Sequence, residues 1–355
     1  MEAALTFARY LSRLFLLRQA AATLALAGLL QLVDLMDKAD DILARGLGVA
    51  GMVRFTLYRL PLVLGPVQPV AVLVAALMTW GALARRGEIA ALRAAGVSVA
   101  GLVGWLLPAG LVVSALAFLL ADRVAPAADA AFARWWQASG PAEAAPAGRL
   151  WFRDGMDVVA VDRIEAGGHL LRGVELVHRT PDGRLARWIL SERAEWRDGG
   201  GWALVAGSER GPDGVTRRFD RAPWGTGVAP ANLLELTRPA PLLSSGRLWA
   251  ALHGRWISLD SPQTVETRLL RALAAPLAPL LMIVLATPVA GGTPRSGGIP
   301  GGTALGLAAG LSYLLLDGIL GVLGESGTLP PVLAAWLPHA AFACIGGAML
   351  LYVEG

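Results

Sequence analysis

The chain has 355 residues, 55% of them hydrophobic and only 16% charged, with a mean hydropathy of +0.54. A soluble domain carries roughly 25% charged residues, so this composition excludes an ordinary water-soluble fold and indicates a membrane protein. The formal charge of +4 is no argument for nucleic-acid binding: of 58 charged side chains, 36 (18 Arg against 18 acids) lie within Asp122–Glu266, leaving 22 for the other 210 residues. One electrically balanced, water-facing domain is therefore inserted into a membrane protein.

The N-terminus does not read as a cleaved signal peptide. Arg9, Arg13 and Arg18 precede an apolar stretch that continues to Val33 without a clear small-residue cleavage site, so a retained first span is expected over Leu14–Val33. Asp34, Asp37, Asp40 and Asp41 follow among Leu35, Met36, Ile42 and Leu43, which predicts a helical continuation past the membrane and then a Gly-rich turn. Arg54 and Tyr58 suggest a surface helix leading into Pro61. Span two is expected over Leu60–Ala82, with Pro61, Pro66 and Pro69 near its start, and span three over Val99–Leu120. Between them lies the compact charged segment Ala84–Ser98. Its Ile89 and Leu92 share one face, while Arg85, Arg86, Glu88 and Arg93 keep it out of the hydrocarbon. A short amphipathic helix there is a rigid handle at the membrane surface.

Ala130–Gln137 extends a helix, and Ser139–Gly148 reads as a linker. From Leu150 the period changes to two. Trp151–Ile164 gives two strands about an Asp154-Gly155 turn, and His169–Leu190 repeats the pattern about Pro181–Gly183. Arg193–Glu209 does so about Asp198–Gly201, and Gly211–Gly214 marks another turn. Short strands at this spacing read as an all-β sandwich or open barrel, with Trp151, Trp188, Trp196 and Trp202 supplying its core. Ala222–Ser258 yields no strand boundaries. Span four follows over Leu269–Ala290, interrupted by Pro276 and Pro279, then a flexible loop at Gly291–Gly302. Span five covers Thr303–Leu323 and span six Pro331–Tyr352. The expected fold is thus a bundle of six spans, three plus three, around an inserted all-β domain. Its parts are residues 1–124 with a coupling helix at 85–97, the β-domain at 125–262, and 263–355. Basic residues in the N-terminus, the handle and Arg295 put those segments in the cytoplasm, although Lys38, Arg45, Arg54, Arg59, Arg268 and Arg271 lie opposite.

No catalytic constellation and no phosphate-binding Gly-rich loop is present. Cys344 stands alone in an apolar run, which precludes an intrachain disulfide and reads as inert, and the four His are too scattered for a zinc pattern. Asp317, mid-span, is either a functional intramembrane acid or a hydrogen-bonded packing residue. His339 beside Pro338 reads as a structural contact. Gly306 and Gly310 form a GxxxG pair suited to close helix approach. Glu88 either pairs with Arg85 or Arg86 or docks into a cytoplasmic partner. Lys38, Arg54 and Arg59 suit interfacial anchoring or an anionic lipid head group.

Several stretches resemble the lipopolysaccharide export permease family, LptF and LptG. Leu30–Ile42 resembles the end of the first helix of the G-type branch, and Trp80–Ser98 resembles the family's coupling helix, with Glu88 at its acidic position. Leu150–Gly155 is similar to the opening strands of the periplasmic domain, and Ala335–Phe342 to the last helix. The resemblance implies an ABC-type extractor of the inner membrane with both termini cytoplasmic and a periplasmic β-jellyroll. In it an F-type and a G-type permease are each gripped by one subunit of the LptB ATPase dimer. ATP and Mg bind only that ATPase, and this chain is not itself an enzyme. LptC adds a periplasmic domain, and LptA carries lipopolysaccharide onward to the outer membrane. On matching positions, Glu88, helped by Arg85, Arg86 and Arg93, would couple to the ATPase, and Lys38 would meet substrate phosphates. Gln31 and Asp37 depart from the family's basic residues, and Asp317 and His339 replace neutral ones, which predicts structural polar contacts for both.

Two rivals stand beside this reading. A lipoprotein- or macrolide-type exporter usually has four spans, and a non-transporting membrane scaffold would not need the coupling hairpin.

Overall fold

The computed structural model describes residues 2–139, 149–154, 157–180, 185–197, 201–226, 228–230, 233, 242–253, 260–291 and 298–354. The chain divides into two compact units, Met1–Ala133 with Thr267–Gly355, and Arg134–Glu266.

The first unit is a helical bundle. α1 (Glu2–Ala44) and α2 (Gly48–Arg85) form a long antiparallel hairpin that turns at Gly46. The helix expected to lead into Pro61 is the first part of α2, which continues through all three prolines. After α3 (Glu88–Ala94), α4 (Val99–Leu119) starts where the Ser98 hydroxyl accepts from the Gly101 N–H at 3.0 Å. One π-helical stretch, Leu120–Val124, joins it to α5 (Ala125–Ala138), so the extension near Ala130 belongs to the third span.

In the second unit, β1 (Leu150–Asp154), β2 (Asp157–Glu165), β3 (Leu170–Arg179), β4 (Leu185–Arg197), β5 (Gly201–Arg210) and β6 (Thr216–Trp224) form one antiparallel sheet. Strand order follows chain order. This corrects the sandwich, barrel or jellyroll expectation: a jellyroll needs long connections that bring non-consecutive strands together. Short hairpin links here pair each strand with the next, and among the described residues β1 and β6 remain open edges. The turn at Gly211–Gly214 closes through a Gly214 N–H to Gly211 carbonyl bond of 3.1 Å. The expected linker at 140–148, Gly155, the turn residues 181–183 and 198–200, and 292–297 including Arg295 lie outside the described residues. The tryptophan expectation needs correcting too. Trp202 is buried, with its indole N–H donating to the Val228 carbonyl at 2.7 Å, and Trp196 packs beside it. Trp151 is exposed and Trp188 half-buried, its N–H on Glu175, while Trp224 takes a core place instead. β6 is followed, within the stretch that gave no strand boundaries, by α6 (Ser245–Leu252).

The chain continues in α7 (Pro262–Ala274), α8 (Leu277–Leu285), α9 (Pro288–Gly291), α10 (Gly298–Glu325) and α11 (Pro331–Glu354). Proline takes effect at Pro276: the stretches Pro262–Ala274 and Leu277–Ala290 diverge by 54°. Among the described residues, five helices are long and apolar enough to cross a membrane, and this bent pair makes a sixth if it is one broken span. The bundle's core joins Leu73, Trp80, Leu102, Leu106, Met282, Leu285 and Tyr313. Leu24, Met36, Leu116 and Val322 instead point outward, each more than 60% exposed. Large apolar side chains on the outside of a packed bundle are what a lipid solvent favours. The GxxxG pair packs as expected. A Cβ on Gly306 would lie 2.9 Å from the Leu285 carbonyl oxygen, and one on Gly310 would lie 2.3 Å from Leu73.

Candidate functional site

The handle is built by two reversals of the chain. α2 ends at Arg85, Gly87 takes a φ of 73°, and α3 begins at Glu88; Gly96 at φ 85° then ends α3. These left-handed conformations are open to glycine and strained for other residues. Ile89 is 3% exposed and belongs to the same apolar cluster as Trp80 and Leu102, with Leu92 and Val97 packed against it. The expected apolar face is therefore a plug that seats seven residues of helix on the bundle.

The charges stand outward. Arg85, Arg86 and Arg93 are exposed and Glu88 is half-exposed. Arg86 lies 3.7 Å from Glu88, and its guanidinium also donates to the Tyr10 hydroxyl at 3.4 Å. An exposed pair of this kind contributes roughly 0–1 kcal/mol, so it leaves Glu88 open to a stronger external partner. The four handle residues come together on one small protrusion.

The other three sequence candidates are at the α1–α2 turn end, and each has a partner within the chain. Arg59 grips Asp34 through two nitrogens, at 2.8 and 3.1 Å, and so clips α1 to α2. Lys38 reaches Asp41 at 3.0 Å, and Arg54 lies over the Tyr58 ring at 5.8 Å. Lys38 and Arg54 are exposed; Arg59 is the least available of the three. Gln31 is turned inward and buried, with neither amide atom bonded among the described residues, and Asp37 is exposed.

Asp317 and His339 both make polar contacts within the bundle. Asp317 of α10 accepts from Arg271 of α7 at 2.7 Å. His339 gives one ring nitrogen to the Ala335 carbonyl at 3.0 Å, which can only accept, so its other nitrogen accepts from Tyr313 at 3.0 Å. Arg268 and Glu325 add a second α7–α10 pair at 3.2 Å. Sequence reasoning weighed Arg268 and Arg271 only as evidence on orientation. The missed signal was periodicity: three residues apart on α7, they face Asp317 and Glu325, eight apart on α10. It also missed Gln19, whose amide donates to Gln68 at 2.8 Å and Thr23 at 3.1 Å. Among the described residues no group of three or more His, Cys, Asp or Glu is placed to hold a metal.

Comparison with known proteins accounts for nearly the whole chain. The family model "Lipopolysaccharide export system permease LptF/LptG" matches residues 9–352. The lipopolysaccharide export system permease protein LptG of Escherichia coli strain K12 is 25% identical over 331 residues, covering 90% of each chain. The LptG protein of E. coli O6:H1 strain CFT073 matches to the same extent. With that match spanning the helical bundle, the handle and the sheet alike, this chain belongs to the LptF/LptG family of lipopolysaccharide export permeases.

Proposed function

We propose that this chain is the G-type half of a heterodimeric permease that extracts lipopolysaccharide from the inner membrane. An F-type partner completes the lateral opening, and a separate LptB-type ATPase dimer supplies the energy. LptC receives the lipid, and LptA carries it on. The relatives named LptG favour the G-type assignment, as does the Val33-Asp34-Leu35 stretch. In this arrangement the handle is cytoplasmic and the sheet unit periplasmic. A lipid enters sideways between helices because the bilayer itself delivers it, and an open sheet lets acyl chains slide without being released into water.

The observation that carries this reading is the handle itself. A motor without transmembrane segments needs a protrusion that is charged where it is gripped and apolar where it is seated. α3 has both properties, with Glu88 outward and Ile89 in the bundle core. Glu88 is the coupling residue, with Arg85, Arg86 and Arg93 orienting the grip, while Lys38 and Arg54 meet substrate phosphates. The test is Glu88→Ala in proteoliposomes holding all partners. ATP-dependent lipopolysaccharide release should fall about tenfold or more, in line with the loss of a charge-assisted contact of about 1.5–3 kcal/mol. An unchanged release rate would refute the coupling role.

A further inference from the structure

The geometry points to a binding site for an anionic phospholipid in the cleft between α1 and α4, in the leaflet nearer the N-terminus. The inference rests on the membrane-spanning reading but not on lipopolysaccharide transport. The cleft is an open cavity of about 550 Å³ whose walls include Arg9, Arg13, Leu16 and Leu17 from α1 and Trp105 and Pro108 from α4. Its level in the bilayer follows from the Asp34–Arg59 pair, which marks one edge of the hydrocarbon on both α1 and α2. A hydrocarbon core is crossed in roughly 20 helical residues. Counting that far back from Asp34 reaches the neighbourhood of Leu14, and forward from Arg59 reaches Thr79. Arg9 and Arg13 therefore stand at the head-group layer, and Leu16 and Leu17 stand one turn inside the hydrocarbon. Trp105 joins the same interface, where indole rings concentrate, and meets Phe7 edge-on at 5.7 Å.

The division of the cavity matches one kind of molecule. Its water-side end holds two guanidinium groups, both exposed and without a hydrogen bond or ion pair among the described residues. Guanidinium forks fit phosphate oxygens in pairs. Its deeper end is apolar, and Leu17 is 62% exposed. A phosphodiester head with an acyl chain behind it satisfies both ends at once; a zwitterionic head leaves the two positive charges less well compensated.

The test is native mass spectrometry of the purified full-length chain, titrated with phosphatidylglycerol or phosphatidylcholine. The wild-type chain should retain phosphatidylglycerol in preference to phosphatidylcholine. The Arg9→Gln/Arg13→Gln variant should lose about thirtyfold in apparent phosphatidylglycerol affinity, while Arg123→Gln, an exposed charge loss elsewhere, should not. Ser12→Trp keeps both charges and fills the cavity, so it should also abolish the preference, and it stands in if the double variant fails to fold. Equal retention of both lipids by wild type, or a preference that survives Ser12→Trp, would overturn the site. A second copy of this chain retained by wild type and lost on Ser12→Trp would overturn it in favour of a protein occupant.

Discussion

Arg271 and Asp317 offer a sharp test of how the bundle is held, because their pair joins α7 to α10 at 2.7 Å with each side chain only about a quarter exposed (28% and 25%). At an effective dielectric of 20 and a charge separation of about 4 Å, their attraction is roughly 4 kcal/mol, most of it offset by desolvation. Removing one partner has a larger effect than that net balance, since it strands the other charge. The expected loss for Asp317→Ala or Arg271→Ala alone is about 3 kcal/mol. The Arg271→Ala/Asp317→Ala double variant should lose no more than either single change, because nothing charged remains to be stranded. A coupling of about 3 kcal/mol or more should therefore emerge from the cycle. The assay is reversible unfolding of the full-length chain in mixed micelles, all four proteins under one condition. If the two single losses simply add in the double variant, the pair does not couple and the reasoning fails.

Three further expectations follow from packing. Gly306→Ala should destabilise by about 1–3 kcal/mol, since its new methyl meets backbone. Gly318→Ala, with nothing within 4 Å, should be neutral or stabilising by up to ~1 kcal/mol; equal effects at the two sites in thermal melts would contradict the close-approach account. Ile89→Ala should loosen α3 by about 2–4 kcal/mol, read as faster proteolysis at the handle with little change in the melting of the bundle; unchanged cleavage would mean that the plug does not hold. Trp202→Phe removes the bond to the Val228 carbonyl and also leaves a small void in the sheet's core, so the sheet unit should lose about 2–3 kcal/mol, measured by denaturant unfolding followed through the remaining tryptophans. A loss below about 0.5 kcal/mol would mean that neither the bond nor the packing of the indole holds the sheet.

What the sequence made legible was local. Apolar runs of spanning length gave the helices, and the spacing of Ile89 and Leu92 gave the seated face of the handle, because both signals lie within a few turns. The sheet's strands were legible for the same reason: alternation and Asp-Gly turns are properties of neighbouring residues. Its closure was not. Whether a meander curls into a barrel or stays open depends on what its edges meet, and period-two patterning is identical in both cases. Trp151 and Trp188 illustrate the limit, since a tryptophan's bulk suggests burial while only the strand's facing decides it. Trp224 escaped notice because it follows a proline at the end of a strand. Asp317 was recognised as needing a partner, but 46 residues separate it from Arg271, and one sequence alone does not say which helices are neighbours.

The handle and the bent helix pair meet in the core of the bundle. Ile89, Leu92 and Val97 pack into the cluster that also contains Trp80, Met282, Leu285 and Tyr313, so the apolar face of α3 is continuous with the bundle core. Closely packed interiors shift between discrete arrangements rather than deforming smoothly. α8 lies within that cluster, whereas α7, across the break at Pro276, is tied to α10 by the Arg268–Glu325 and Arg271–Asp317 pairs. The two helices of the bent pair are thus fastened by different means, one by apolar packing continuous with the handle and one by charge. If the handle is driven as proposed, a push on α3 would reach α8 through the apolar core they share, and the 54° break is where the angle between the two helices could change. On the proposed coupling role, an unbroken helix would carry that push straight into the Arg268–Glu325 and Arg271–Asp317 pairs, and the break at Pro276 would spare them.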